Sequence, residues 1–138
     1  MKKFILVCVA LIMSISGYAQ RDGITERWTI EKLTEEADKL QWNSEGEICF
    51  WGEFRKMTYT TLDSVHVNNV IFNKSFCTCT EAKKDFKRLR DKMLLLPNAT
   101  ESWKIDRWTI VIYFKKYGVY LHREFTDVEI QFLPFFGD

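Results

Sequence analysis

The chain has 138 residues, 46% of them apolar and 28% charged, with only 6 Gly and 2 Pro. That is one domain's worth of sequence with enough apolar material for a core, and it excludes collagen-like and disordered classes. Its 20 basic and 19 acidic side chains give a formal charge of +1, which argues against general nucleic-acid binding, since that usually needs a clearly basic surface.

Lys2 and Lys3 form a basic start, Phe4 to Met13 is an unbroken apolar run, and Ser16-Gly17-Tyr18-Ala19 puts small residues where a signal peptidase reads. The pattern predicts a secretory signal peptide over residues 1–19, cleaved before Gln20 and leaving a single globular domain over 20–138. The apolar run is too short for a bilayer, which needs about 20 residues. Cys8 lies inside the run behind Val7, which does not suit lipidation. No other segment is long and apolar enough to span. The expectation is a periplasmic or secreted bacterial protein with no transmembrane segment after cleavage.

Ile30, Leu33, Ala37 and Leu40 fall at spacings of 3, 4 and 3, predicting a helix over about 29–42 that Asn43, Ser44 and Gly46 end. From Glu47 the period changes to two: Ile48, Phe50 and Phe54 point one way and Cys49, Trp51 and Glu53 the other, a strand that can run on through Tyr59 and Thr61. Asn68-Asn69 fits a two-residue hairpin turn, because Asn tolerates positive φ. Val65, Val67, Val70 and Phe72 would then share one face.

Thr78-Cys79-Thr80-Glu81 reads as a capping box. Ala82, Phe86, Leu89, Met93 and Leu96 follow at helical spacing up to Pro97, with Lys83, Lys84, Lys87, Arg88 and Asp91 on the opposite face. Beyond Trp103 three strands are expected. Trp108, Ile110, Ile112 and Phe114 form one face of the first; Val119, Leu121 and Phe125 alternate in the second; Val128 to Phe132 is the last. The fold expected is α+β, an antiparallel sheet of about five or six strands with two helices on one face, in the order α-β-β-β-α-β-β-β.

Charge is unevenly spread: residues 20–63 carry 6 basic and 10 acidic side chains, 64–123 carry 12 and 5, and 124–138 carry none and 4. Either these segments neutralise one another in the fold, or the basic centre, with Lys83 and Lys87, meets an anionic partner. With the apolar parity of the C-terminal hairpin turned inward, Val111, Tyr113, Tyr120 and His122 share the other face. A folded-back Phe132–Phe136 tail could cover that face, or a partner could, since aromatic residues are enriched at interfaces.

Cys49, Cys77 and Cys79 remain after cleavage. In an oxidising compartment Cys49 is expected to pair with Cys79, Cys77 being the alternative, because neighbours two apart pair poorly. Such a bridge would stabilise by roughly 3–4 kcal/mol. A thiol-redox role for Cys79, in the first turn of a helix, is the sharper alternative, although the spacing is C-x-C and no βαβ unit surrounds it. His66 and His122 point to no further metal ligands, and no Gly-rich phosphate loop, G-x-S-x-G or H-E-x-x-H motif is present. Neither a metal nor another cofactor is expected. Asn98-Ala99-Thr100 and Asp63-Ser64-Val65 match short glycosylation patterns for Asn98 and Ser64.

The function expected is a non-catalytic exported binding domain, a protein-interaction or inhibitor-type module working through Val111, Tyr113, Tyr120, His122, Lys83 and Lys87. The alternative is a carrier holding an apolar or anionic small ligand between sheet and helices, with Trp51 and Trp108 in its lining.

Overall fold

The computed structural model describes residues 27–97, 99–114 and 117–133. The expected signal peptide, Asn98 and the tail from Pro134 onward lie outside them. Two helices and seven strands follow in the order α1 (Ile30–Asp38), β1 (Ile48–Phe50), β2 (Glu53–Thr61), β3 (Val67–Ser75), α2 (Cys79–Leu94), β4 (Ala99–Asp106), β5 (Thr109–Phe114), β6 (Gly118–Glu124) and β7 (Asp127–Leu133). All strand pairs are antiparallel and the sheet order is β1-β2-β3-β7-β6-β5-β4. The α+β class stands as read from sequence, with seven strands in place of five or six. The extra one against the expected order is β4, whose 99–106 stretch lacks clean alternation and carries two register shifts against β5. Before α2 the count of three stands, with β1 and β2 in place of one long strand and β3 alone in place of the 64–72 hairpin.

Helix α1 is capped by the Thr29 hydroxyl, which accepts the Lys32 N–H at 3.1 Å. It ends four residues earlier than its periodicity implied, because Asn43 draws the chain into a turn, its side-chain oxygen accepting the Glu45 and Glu47 N–H groups. Leu40 stays buried all the same. Helix α2 has the expected N-cap, with Thr78 Oγ1 accepting the Glu81 N–H at 3.2 Å, but the Glu81 carboxylate accepts from the Thr78 hydroxyl at 3.1 Å where the box expected it to accept from the Thr78 backbone N–H.

The stretch read as one strand from Glu47 is a hairpin. Trp51 and Gly52 both have positive φ, 49° and 90°, the conformation of a two-residue turn that suits the twist of paired strands. The reversal pairs Ile48 with Arg55, so Arg55, and not Phe54, joins Ile48 and Phe50 on the buried face. Asn68-Asn69 is likewise no turn. The chain reverses earlier, over 62–66, where Asp63 accepts the N–H groups of Val65 and His66 at 2.7 and 2.6 Å. Thr60 pairs with Asn69 and Thr61 with Val67, leaving Asn68 as the extra residue of a bulge. That extra residue puts Val67, Val70 and Phe72 on one buried face, while Val65 is exposed. The shared parity was legible, but a bulge produces it.

Both helices and the inward side chains of the strands form one core. Leu33 and Ala37 from α1, Ala82, Phe86, Leu89 and Met93 from α2, and Phe50, Phe72, Ile112, Leu121, Ile130 and Phe132 from the sheet belong to it. Phe50 stacks on Phe72 at 4.4 Å between ring centroids, and Phe132 meets both rings edge-on at 5.8 Å. Helix α2 crosses β5, β6 and β7 on this side. Among the described residues no helix lies on the reverse side of the sheet.

Candidate functional site

On that side the alternation of β5 and β6 works as read for Val111, Tyr113, Tyr120 and His122. Phe125, read as continuing the inward side with Val119 and Leu121, instead lies past the end of β6 in the turn to β7 and is exposed. Ile110, Ile112, Val119 and Leu121 are buried, while Val111, Tyr113, Tyr120 and His122 are half-buried on the opposite face. Val111 stands opposite Tyr120, and Thr109 opposite His122. Gly118 lies between Tyr113 on β5 and Leu133 on β7 and has no side chain to fill the space. The result is a half-open apolar groove of about 240 Å³ lined by Val111, Tyr113, Gly118, Val119, Tyr120 and Leu133. Leu133 and Gly118 were not singled out in the sequence. A glycine at a strand start beside two aromatics was the available signal.

The rim of this face is polar and acidic. Burial raises the Tyr120 phenol above its ordinary value, and the carboxylates of Glu129, Asp106 and Glu124 push it further the same way. The Thr109 hydroxyl donates to Asp106 at 3.1 Å and sits 2.7 Å from His122 Nδ1. A hydroxyl has one proton, so with Asp106 taking it, His122 Nδ1 is the donor to Thr109. Thr109 is buried, so this chain orients His122 and offers no accessible nucleophile. The His122 ring tilts against Tyr120 at 5.9 Å.

Lys83 and Lys87 do not reach this face. They stand on α2 with their Nζ atoms 5.8 and 6.0 Å from the Trp108 ring, and Trp108 packs edge-on against Phe86 at 5.3 Å. The six expected binding residues thus lie on two surfaces, Lys83 and Lys87 on the helix side of the sheet and Val111, Tyr113, Tyr120 and His122 on the other. Arg107 and Arg123 join the lysines around the same indole at 5.4 and 4.0 Å. Sequence reasoning missed both arginines, although Arg107 precedes Trp108 in the chain and the β5–β6 hairpin brings Arg123 beside it.

A third group was invisible in the sequence. Arg55 is fully buried, and its Nη2 donates to both Asp85 oxygens at 2.6 and 2.8 Å. Arg88 Nη2 reaches the same carboxylate at 2.9 Å, and Arg88 Nη1 donates to the Trp51 carbonyl. Burial pulls the Arg55 guanidinium below its ordinary value, opposed by the Asp85 hydrogen bond and charge and reinforced by the Arg88 charge. Arg55 Nε and Nη1 have no hydrogen-bond partner. The cluster ties the β1–β2 hairpin to α2.

The expected bridge from Cys49 is absent: Cys49, Cys77 and Cys79 are all free thiols. Cys49 alternates with the buried Ile48 and Phe50 and so points away from the side that α2 covers, while Cys77 and Cys79 are exposed at the start of α2. Among the described residues no group of three metal-ligating side chains comes together, and no helix is long and apolar enough to cross a membrane. His66 pairs instead with Asp63, Nδ1 to Oδ2 at 2.9 Å.

Comparison with known protein families, with characterised proteins and with solved structures returned no match in any of the three.

Proposed function

We propose that this protein is an exported, non-catalytic binding domain, an interaction or inhibitor-type module whose partner is a protein docking on the helix-free face of β5, β6 and β7. The observation that carries this reading is the groove left by Gly118 between Tyr113, Tyr120 and Leu133. At about 240 Å³ and half-open, it falls below the roughly 300–1,000 Å³ of enclosed small-molecule sites. It suits one apolar side chain protruding from a partner, framed by aromatic rings that lose little entropy on binding. The carboxylates of Asp106, Glu124 and Glu129 on the rim favour a partner with basic groups around that side chain. Export rests on Lys2-Lys3, the Phe4–Met13 run and the Ala19-Gln20 junction.

The carrier reading loses support from the space between sheet and helices. Phe50, Phe72, Phe86 and Phe132 fill it, and Trp51 and Trp108 are engaged in packing.

The test is affinity capture from the native envelope with the processed protein and with a Tyr113→Ala, Tyr120→Ala double variant. A captured protein that binds the purified domain directly and is lost with the double variant supports the reading. An identical captured set for both proteins sinks it. A Lys83→Ala, Lys87→Ala variant, changed on the other side of the sheet, should keep the partner.

A further inference from the structure

The end of the molecule where the β4–β5 and β6–β7 turns lie carries a second surface. The two turns share one end because β4 to β7 are successive antiparallel neighbours, and the Phe86–Trp108 contact brings the first half of α2 to it. Lys83, Lys87, Arg107 and Arg123 all stand within 6.0 Å of the Trp108 ring. Among the described residues none of the four forms an ion pair with a carboxylate. Arg123 Nε also has no hydrogen-bond partner. Four like charges so close repel one another, and the negative face of one indole offsets only part of that.

Two of the nearby carboxylates are engaged elsewhere. Asp106 accepts from the Trp108 N–H and the Thr109 hydroxyl, and Asp127 is held by the Ser75 hydroxyl.

Two apolar tips flank the cations. Ile105 is 62% exposed and Phe125 74% exposed. Phe125 also has φ of 52°, a left-handed conformation in which a bulky side chain is a rare choice and glycine the easy one. Its carbonyl accepts from Arg123 Nη1 at 2.7 Å, which fixes the tip beside the cations. Neither property serves the fold. Glycine would relieve the backbone and a polar residue would relieve the exposure, so an aromatic here answers to something outside the chain.

We propose that this end of the molecule docks on an anionic phospholipid membrane, with Lys83, Lys87, Arg107 and Arg123 facing the headgroup phosphates and Phe125 and Ile105 entering the interface. Charge complementarity selects the anion. The apolar tips select a bilayer over a soluble polyanion, which offers an exposed phenylalanine nothing to enter. Peripheral binding of this kind combines a shallow apolar insertion with a basic patch, because neither suffices alone. A nucleic-acid strand fits less well, since Arg123 at 4.0 Å already occupies the Trp108 ring that a base would stack on. From the proposed function the inference takes only export, which sets the membrane the protein meets. The mass of the purified protein shows whether residues 1–19 are gone, so failure of export and failure of docking read out separately.

The test is sedimentation of the processed protein with vesicles of phosphatidylcholine alone and of phosphatidylcholine mixed with phosphatidylglycerol. The expected result is binding to the mixed vesicles only, weakening as salt is raised. Lys87→Glu with Arg107→Glu should lower the partition coefficient about tenfold or more, as each basic residue near the surface contributes several-fold. Phe125→Gly should lower it too without lowering the thermal midpoint. All three positions are exposed, so folding does not stand between the change and the readout. Equal binding to both vesicle types, or unchanged partition of either variant, overturns the proposal. So does tight binding of heparin by a protein that ignores the mixed vesicles, which would mark a site for soluble polyanions.

Discussion

Helix α2 presents two groups of charges whose surroundings are opposites. Asp85 and Arg88 turn toward the β1–β2 hairpin, where Asp85 receives Arg55 inside the core. Lys83 and Lys87 turn toward Trp108, where four cations gather with no carboxylate between them. The first group is charge-paired inside the core, although Arg55 Nε and Nη1 lack hydrogen-bond partners, and removing one member should cost the fold dearly. The second has no carboxylate partner among the described residues, and its two helix lysines are expected to be removable at little cost to the fold. Buried charge that is paired reads as structure, while exposed charge left unpaired beside exposed apolar tips reads as a surface made for something else.

That contrast breaks most sharply at Asp85. Asp85→Ala leaves Arg55 buried without a counter-charge and should lower stability by about 3–5 kcal/mol, measured by urea unfolding. Replacing the pair together, Arg55→Met with Asp85→Leu, should recover most of that loss, which would show that the cost lies in the orphaned charge.

Gly52→Ala comes next. The Cβ would meet Arg88 Nη1 at 3.6 Å, ordinary contact, but φ of +90° strains any residue with a side chain. The loss should be about 1–2 kcal/mol, with the turn that presents the Trp51 carbonyl to Arg88 loosened. The same urea experiment reads it.

Lys83→Ala with Lys87→Ala should leave stability within about 0.5 kcal/mol. A large loss would mean that the cations around Trp108 hold the fold together after all.

The smallest effect belongs to the Asp63 turn, a charge that is exposed yet partnered. Hydrogen bonds from the His66 N–H, the His66 ring and the Val65 N–H hold the Asp63 carboxyl down at about 2, against an ordinary 3.8. A carboxyl lowered on folding stabilises above its unfolded value and loses that contribution as pH falls through the folded one. The turn should therefore loosen between pH 3.8 and about 2, seen as faster exchange of the Val65 and His66 amides. Asp63→Asn should remove the pH dependence.

Periodicity was the most legible part of this sequence. Ala82, Phe86, Leu89 and Met93 fixed the buried stripe of α2, and the alternation of β5 and β6 fixed which side chains face away from it. Both are local consequences of helical and extended geometry. Reversals were harder to read. Trp51-Gly52 carries a bulky residue where a turn signal would be sought, and Asn68-Asn69 carries that signal where the chain only bulges. The candidate surfaces divided the same way. Val111, Tyr113, Tyr120 and His122 were found from parity, while the companions of Lys83 and Lys87 around Trp108, Arg107 and Arg123, were not.

By itself the sequence determined the α+β class, the caps and buried stripe of α2, and the aromatic parity of the C-terminal hairpin, because each depends on residues within a few positions of one another. Only the tertiary structure decided that seven strands take the order β1-β2-β3-β7-β6-β5-β4, that Arg55 enters the core to meet Asp85, and that Arg107 and Arg123 converge with two helix lysines on Trp108. Those outcomes depend on which strands become neighbours, and strand order is set by packing the whole apolar surface at once.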